Sequence, residues 1–142
     1  MTNTALPAGL PTPEAARDGV DAPFWDGLRD HRLLIPQCRS CGEHWFPPDW
    51  VCPHCRARTF DWHEVPATGR VFTWTRVWHP THPALAEACP YVVVVVALDA
   101  DPSIRMIGNL VGDPTAPLAI DGRVEGVFED GQEATLLQWR RR

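Results

Sequence analysis

Two Cys-x-x-Cys pairs, separated by ten residues, are the part of this sequence best suited to chemistry. Cys38 and Cys41 form the first pair, and Cys52 and Cys55 form the second. Four thiolates presented from two tight turns make a tetrahedral site that suits zinc. Because such a site has no open position for water, we expect a structural metal and not a catalytic one. Iron in a rubredoxin-like site would use the same ligands, so the ligand set leaves both metals open.

The same cysteines could serve as redox dithiols or disulfides, but a redox Cys-x-x-Cys is usually single and lies at a helix start after a strand. Here Gly42 follows the first pair and Pro53 lies inside the second, and both residues favour tight turns. His44 and His54 lie near the ligands and would permit a mixed Cys–His set. Because four cysteines already complete the site, we interpret both histidines as surface residues. The sequence therefore predicts a zinc ribbon.

A Pro-rich loop holds the other residues with chemical potential. His79, His82 and Cys89 resemble part of a catalytic site, but no third group is apparent, so we predict no catalytic residues and interpret Cys89 as a loop thiol. Arg76, Trp78 and His79 could hold a phosphate and stack a purine. An edge arginine between aromatic residues of a β-barrel core is the alternative interpretation.

The elements that must position these residues fit in one domain or two small modules, because the chain has 142 residues. We divide it into a flexible tail (1–12), an N-terminal helical segment (13–32), a zinc ribbon (33–65) and an OB-fold barrel (66–142).

The N-terminal segment carries helix-start patterns at two places. Thr12 followed by a proline predicts a short helix that ends near Asp18, and Asp21 begins a second helix that ends near His31. Helical spacing places three apolar side chains on one face of the second helix. They either pack on the ribbon or contact a partner subunit, because exposed aromatic residues are favoured interface anchors. The partner-contact candidates are Phe24, Trp25 and Leu28.

The rest of the chain has β-strand patterns, which predict a mainly β fold. In the ribbon we expect strands at 33–35, at Trp45 and Phe46, and at 60–62. Five further strands follow, three before a Pro- and Gly-containing connection and two after it, and this grouping suits a small Greek-key barrel of the OB type. The five predicted strands are Arg70–Trp78, Tyr91–Leu98, Ile104–Val111, Val124–Phe128 and Thr135–Trp139.

Charge and hydropathy restrict the partners. The net charge is −5, with no lysine, and the single basic cluster is Arg140 to Arg142, which we interpret as a solvated tail. Nucleic-acid binders normally show a basic face, so we expect no nucleic-acid partner. No apolar run approaches 18 residues and no signal peptide is visible, so we expect no membrane association and a cytoplasmic location.

The order of these elements resembles a known family. A helix with Phe24 and Trp25 precedes the stretch 33–38 and the two Cys-x-x-Cys turns, which we call the knuckles. Gly69-Arg70-Val71 and Pro90-Tyr91-Val92-Val93 follow. This order is similar to that of the zinc-ribbon/OB-fold acyl-coenzyme A-associated proteins, from about Pro13 to Trp139.

The resemblance implies a non-catalytic accessory subunit with Cys38, Cys41, Cys52 and Cys55 as zinc ligands. Members of this family bind thiolase-fold enzymes, including acetoacetyl-coenzyme A thiolases and lipid-transfer-protein-like aldolases, and some are fused to hydratase domains of steroid side-chain breakdown. The expected partner is therefore a thiolase-like enzyme, with a hydratase as a further candidate and acyl-coenzyme A shared between the subunits. The resemblance makes Arg76, Trp78 and His79 the candidates for contact with coenzyme A. Two alternatives stay open: a nucleic-acid-binding zinc-ribbon/OB module, and a free-standing acyl-coenzyme A enzyme such as a thioesterase or lyase.

Overall fold

The computed structural model describes residues 5–7 and 9–142. The predicted flexible tail, residues 1–12, therefore lies partly outside the described residues. A two-stranded sheet is followed by a five-stranded barrel, and a short 3-10 helix, Pro83–Leu85, lies between the first two strands of the barrel. The described elements are α1 (Ala22–Arg29), β1 (Leu33–Cys38), β2 (Phe60–Val65), β3 (Thr68–Val77), β4 (Tyr91–Leu98), β5 (Arg105–Val111), β6 (Arg123–Asp130) and β7 (Thr135–Arg141).

The helix predicted between Thr12 and Asp18 was wrong, because the described backbone there forms no helix. A turn replaces it, in which the Gly19 N–H donates to the Ala16 carbonyl and the Ala22 N–H donates to the Gly19 carbonyl. A segment this short cannot offset the cost of helix nucleation without tertiary contacts. The second predicted helix is present as α1, with a proline in its first turn.

The ribbon sheet consists of β1 and β2, which pair antiparallel from Leu33 opposite Val65 to Cys38 opposite Phe60. The strand predicted at Trp45 and Phe46 was wrong, since the chain there makes only an isolated bridge between residues 37 and 44. Two prolines follow at once, and proline cannot donate a hydrogen bond to a strand ladder.

The barrel closes in the strand order β3-β4-β5-β7-β6, which confirms the predicted mainly β fold with a five-stranded barrel. Neighbouring strands run antiparallel except β5 and β7, which are parallel. Strand β4 is rich in valine, and its alternate side chains are fully buried. β-Branched residues favour such pleated, buried positions. The buried side chains of β4 are Val92, Val94, Val96 and Leu98.

A β-bulge in β3 changes which side chains point into the barrel. The register with β4 shifts between Val71 and Thr73, so Val71 is buried before the bulge, whereas Trp74 packs on the core after it. The extra residue, Phe72, is exposed. A bulge places two residues opposite one and so reverses the alternation along a strand. This reversal moves Arg76 to the inward-facing side of the strand.

One hydrophobic core joins the helix, the base of the ribbon and the barrel. It contains Phe24 and Leu28 of α1 and Leu33 of β1 together with the inward side chains of the barrel. A second, smaller cluster lies at the knuckles, around Cys38, Trp45 and Cys52. The tip of the ribbon therefore has a core of its own, separate from that of the barrel. Among the described residues, no helix reaches the length and apolarity needed to cross a bilayer.

Candidate functional site

Two tight turns present the four cysteines. In the first, the Gly42 N–H donates to the Cys38 carbonyl at 3.0 Å, and Gly42 has a φ of +77°. In the second, the Arg56 N–H donates to the Cys52 carbonyl at 2.9 Å, and Arg56 has a φ of +66°. Glycine adopts positive φ without strain, whereas arginine does so at some cost. Both turns thus follow the same geometry, and each aims two sulfur atoms at one point.

The four Sγ atoms lie within 4.8 Å of one another. The Sγ atoms of Cys38 and Cys55 are 3.5 Å apart, and those of Cys41 and Cys52 are 3.7 Å apart. Zinc–sulfur bonds of about 2.3 Å in a tetrahedron require sulfur–sulfur distances of about 3.8 Å. The donor set and its spacing therefore fit a tetrahedral zinc ion, with no position left for a substrate.

Hydrogen bonds and burial move the pKa values of Cys38 and Cys41 in opposite directions. Backbone N–H groups, that of Cys41 first, lower the pKa of Cys38 to about 6. For Cys41 the backbone N–H of Glu43 favours the thiolate, but burial and the neighbouring sulfurs outweigh it and raise the pKa to about 12. Ionising all four thiols together requires a positive charge between them. A divalent metal supplies that charge.

The two histidines near the ligands differ. His54 is exposed, as predicted, but the prediction for His44 was wrong, because only 15% of its side chain is exposed. The His44 ring stacks on His63, with Nε2 of His44 3.2 Å from Nδ1 of His63. Its Nδ1 lies 3.4 Å from Oδ2 of Asp101, at the turn between β4 and β5. His44 therefore links the ribbon to the barrel.

The three candidates for coenzyme A contact have different surroundings. The Arg76 guanidinium donates to the carbonyls of Pro114 and Ala116 at 2.7 and 3.3 Å, and it lies 5.1 Å from the ring centre of Trp74. These bonds fasten the connection between β5 and β6 to the barrel. Trp78 and His79 are exposed on the surface. Contact with coenzyme A stays a prediction, and Arg76 already has a structural role.

The loop candidates also have local roles. His82 caps the short 3-10 helix, because its Nδ1 accepts a hydrogen bond from the Ala84 N–H at 3.1 Å. Cys89 is half-buried.

The C-terminal arginines are not a solvated tail, so that prediction was wrong. Arg140 and Arg141 belong to β7, where the Arg140 Nε donates to Glu125 Oε1 at 2.6 Å.

The candidates for partner contact lie mostly inside the chain. Phe24 and Leu28 are buried in the main core, with 8% and 1% of their surface exposed, so each offers little surface to another protein. Trp25 stays half-buried, and its indole N–H donates to Asp21 Oδ2 at 2.9 Å. Trp25 is therefore the most accessible of the three candidates, and partner contact by this helix stays a prediction.

An apolar groove beside Trp25 was missed by the sequence reasoning. It has a volume of about 420 Å³ and lies between α1 and strands β5 and β7. At its edge Ile107 is 72% exposed, the largest exposure among the exposed large apolar residues. The alternation of side chains along β5 could have predicted that Ile107 points outward. The groove itself could not be predicted, because it depends on how β5 and β7 diverge. The apolar and aromatic side chains of the lining include Trp25, Phe46, Met106, Ile107 and Leu136.

A metal-binding ribbon joined to a five-stranded barrel defines a zinc-ribbon/OB-fold protein. Two family models match the chain: the rubredoxin-like zinc ribbon domain of ChsH2 over residues 25–61 and the C-terminal OB-fold domain of ChsH2 over residues 62–129. The solved structure of the Ltp2-ChsH2(DUF35) aldolase contains a chain that is 32% identical, with a TM-score of 0.78. The alignment covers 92% of this chain and 98% of that one. The chain belongs to the ChsH2 (DUF35) family, and the predicted structural zinc is confirmed.

Three curated relatives agree with this assignment. A probable enoyl-CoA hydratase alpha subunit of Thermomonospora curvata is 39% identical over 105 residues, which are 72% of this chain and 30% of that protein. A DUF35 domain-containing scaffold protein of Methanocaldococcus jannaschii is 29% identical, over 84% of this chain and 87% of its own length. The 3-oxo-4,17-pregnadiene-20-carboxyl-CoA hydratase alpha subunit of Mycobacterium tuberculosis is 28% identical, over 94% of this chain and 40% of its own length. The chain thus spans under half the length of both hydratase subunits.

Proposed function

We propose that this chain is a non-catalytic accessory subunit of an acyl-coenzyme A-processing enzyme complex. The observation that carries the proposal is the match to nearly the whole ChsH2(DUF35) chain of an aldolase complex, at 32% identity. The name of the archaeal relative, a scaffold protein, supports the same role. In this role the chain binds and stabilises an enzyme that carries the catalytic residues.

The chemistry of the metal centre agrees with this role. Four cysteine ligands fill the coordination sphere, so the metal can fix the ribbon but has no position at which to polarise a substrate. Arg76, the most plausible phosphate ligand in the barrel, already donates to two backbone carbonyls. The chain therefore contributes shape and binding surface to the complex.

We further propose that the partner is a thiolase-fold enzyme, a thiolase or a lipid-transfer-protein-like aldolase, with a hydratase as a second companion. The names of the aldolase complex and of the hydratase alpha subunits support these partners. One of those names contains a steroid-derived coenzyme A ester, which makes steroid side-chain degradation the pathway class to test first. The acyl-coenzyme A would then be shared between this chain and its partner. A cytoplasmic location suits the reduced cysteines that the metal requires.

Co-expression with the enzyme subunits encoded beside this chain tests the proposal. An affinity tag on this chain should retain a thiolase-fold or hydratase subunit, and the purified complex should turn over a coenzyme A thioester. The isolated chain should show no turnover under the same conditions. Robust turnover by the isolated chain, or failure of every neighbouring subunit to co-purify, would contradict the accessory role.

A further inference from the structure

Strand β5 has a free backbone edge beside the apolar groove. Its pairing with β7 is limited to Leu110 and Val111, so among the described residues the stretch from Arg105 to Gly108 has no strand partner on that side. On the other side, Leu98 at the end of β4 donates to the Ile104 carbonyl at 3.1 Å. Because backbone groups alternate along an antiparallel strand, the N–H and C=O of Arg105 and Ile107 point away from β4. Of these two residues, Ile107 lines the groove.

Asn109, two positions after Ile107 on the same strand, supports this orientation of the backbone groups. The Asn109 N–H points away from β4 and donates to the side-chain Oε1 of Gln138 on β7 at 2.7 Å. A side chain thus replaces a strand partner at Asn109, and two residues earlier no such replacement is present among the described residues. An unpaired strand edge is a template for an added strand.

The walls of the groove are apolar next to this edge. The lining includes Trp25, Phe46, Met106, Ile107 and Leu136. No charged residue lines this part of the groove. An exposed isoleucine beside half-buried aromatic side chains has the composition of an interface anchor, because buried apolar and aromatic side chains supply most of the binding free energy.

The groove continues into an acidic section, since both sections share Asn109, Leu136 and Gln138. The acidic section is lined by Glu129, Asp130 and Glu133, without a lysine or arginine. Residues of the N-terminal segment border it, and the backbone N–H of Ala5 donates to Glu129 Oε2 at 3.1 Å. Asp130 already contacts His31, at 3.0 Å. The section therefore accepts a backbone donor, and the charge of Glu129 and Glu133 is complementary to a basic side chain.

We propose that the groove binds an extended segment of the partner enzyme, which pairs with Arg105 and Ile107 of β5 as an additional strand. This placement rests on the accessory-subunit function proposed above. The segment inserts an apolar side chain between Trp25 and Leu136 and directs a basic residue toward the acidic section. Main-chain hydrogen bonds hold such a strand, and the pockets for alternate side chains select its sequence.

A second copy of this chain is a poorer occupant. Symmetric pairing of two β5 edges would bring Arg105 of one copy close to Arg105 of the other, and like charges that face each other across strands destabilise the pair. Each copy also has a net charge of −5. A foreign segment with basic residues avoids both repulsions and neutralises the acidic section.

Hydrogen exchange of the full chain, alone and in complex with the co-purified thiolase-fold or hydratase subunit, tests the proposal. The amides of Arg105 and Ile107 should exchange rapidly in the isolated chain and become protected in the complex. Ile107→Pro removes an N–H that points away from β4, so the ladder with β4 stays intact, and proline is tolerated on an edge strand. Ile107→Asp places a charge in the apolar section. Each variant should weaken the complex by about tenfold or more.

The matched control is Ile120→Asp, because Ile120 is also an exposed isoleucine, at 57%, but does not line the groove. It should change the affinity by no more than about twofold, as surface substitutions usually do. Circular dichroism should show that all three variants stay folded.

The outcomes separate this inference from the function on which it rests. If no neighbouring subunit binds the natural chain, both fail. If the complex forms but Ile107→Pro binds normally and the β5 amides stay unprotected, only the groove assignment fails. Protection of these amides in the isolated chain at low concentration would assign the groove to the chain's own N-terminal segment. Protection that increases with concentration, together with dimerisation that Ile107→Asp abolishes, would assign it to a second copy.

Discussion

Removing the metal should melt the knuckles of the ribbon and leave the barrel folded. Cys52→Ser is the sharpest perturbation, because the Cys52 side chain is fully buried at the centre of the knuckle cluster. A serine hydroxyl is a poor zinc ligand, so one substitution opens the tetrahedral site. The barrel and the base of the ribbon belong to the separate main core, which does not contain a metal ligand.

The magnitude follows from the size of the two clusters. Among the described residues, Trp45 is the one large buried side chain of the knuckle cluster, and burial of such a side chain contributes about 1.5–3 kcal/mol. Zinc binding in small structural modules contributes about 10–16 kcal/mol. The metal therefore dominates the stability of the knuckles, and the apolar contacts of Trp45 with Phe60 cannot replace it.

Hydrogen exchange and metal analysis measure the effect together. In Cys52→Ser, amides between residues 39 and 59 should lose protection and bound zinc should be absent, while β3 to β7 keep the protection of the natural chain. Cys89→Ser is the control, because Cys89 lies outside the sulfur cluster, and it should keep both zinc and protection. A metal-free variant with protected knuckles would refute the reasoning, and so would loss of the barrel along with the ribbon.

Three further perturbations test other contacts. Arg76→Met removes two hydrogen bonds to the β5–β6 connection and should cost about 1–3 kcal/mol in a denaturant titration; an unchanged midpoint would contradict this role. Gly69→Ala places a Cβ against the Ala97 carbonyl in β4, and we expect a loss of stability of about 2 kcal/mol or more, with natural stability as the contrary result. The hydrogen bond from His31 lowers the pKa of Asp130, so this carboxylate stabilises the fold above its ordinary pKa of about 4 and the contribution disappears as the pH falls further. Between about pH 5 and pH 2, the melting temperature of the natural chain should thus fall more steeply than that of Asp130→Asn. Parallel curves of melting temperature against pH would refute the assignment.

The metal site and the barrel could be predicted because their determinants are local. Cysteine spacing within a knuckle fixes which sulfur atoms meet, and the valine run of β4 favours a buried strand whatever its neighbours are. Gly42 marks one turn directly. These features need no knowledge of distant contacts, so the fold class and the metal followed from short stretches of sequence.

The remaining features depend on contacts between distant segments. The bulge at Phe72 turns Arg76 inward, and periodicity along the strand shows only that both faces are bulky. His44 is covered by His63 and Asp101, which lie 19 and 57 residues away along the chain. The groove beside Ile107 exists because β5 meets β7 at two residues only. Neither the bulge nor the groove has a sequence pattern of its own.

Native mass spectrometry of the co-expressed proteins tests the central claim most directly. The account predicts a species that contains this chain, one zinc ion per copy of it, and a thiolase-fold or hydratase subunit encoded beside it. Detection of the chain only by itself, with every candidate partner in separate species, would contradict the claim that it functions as a bound subunit.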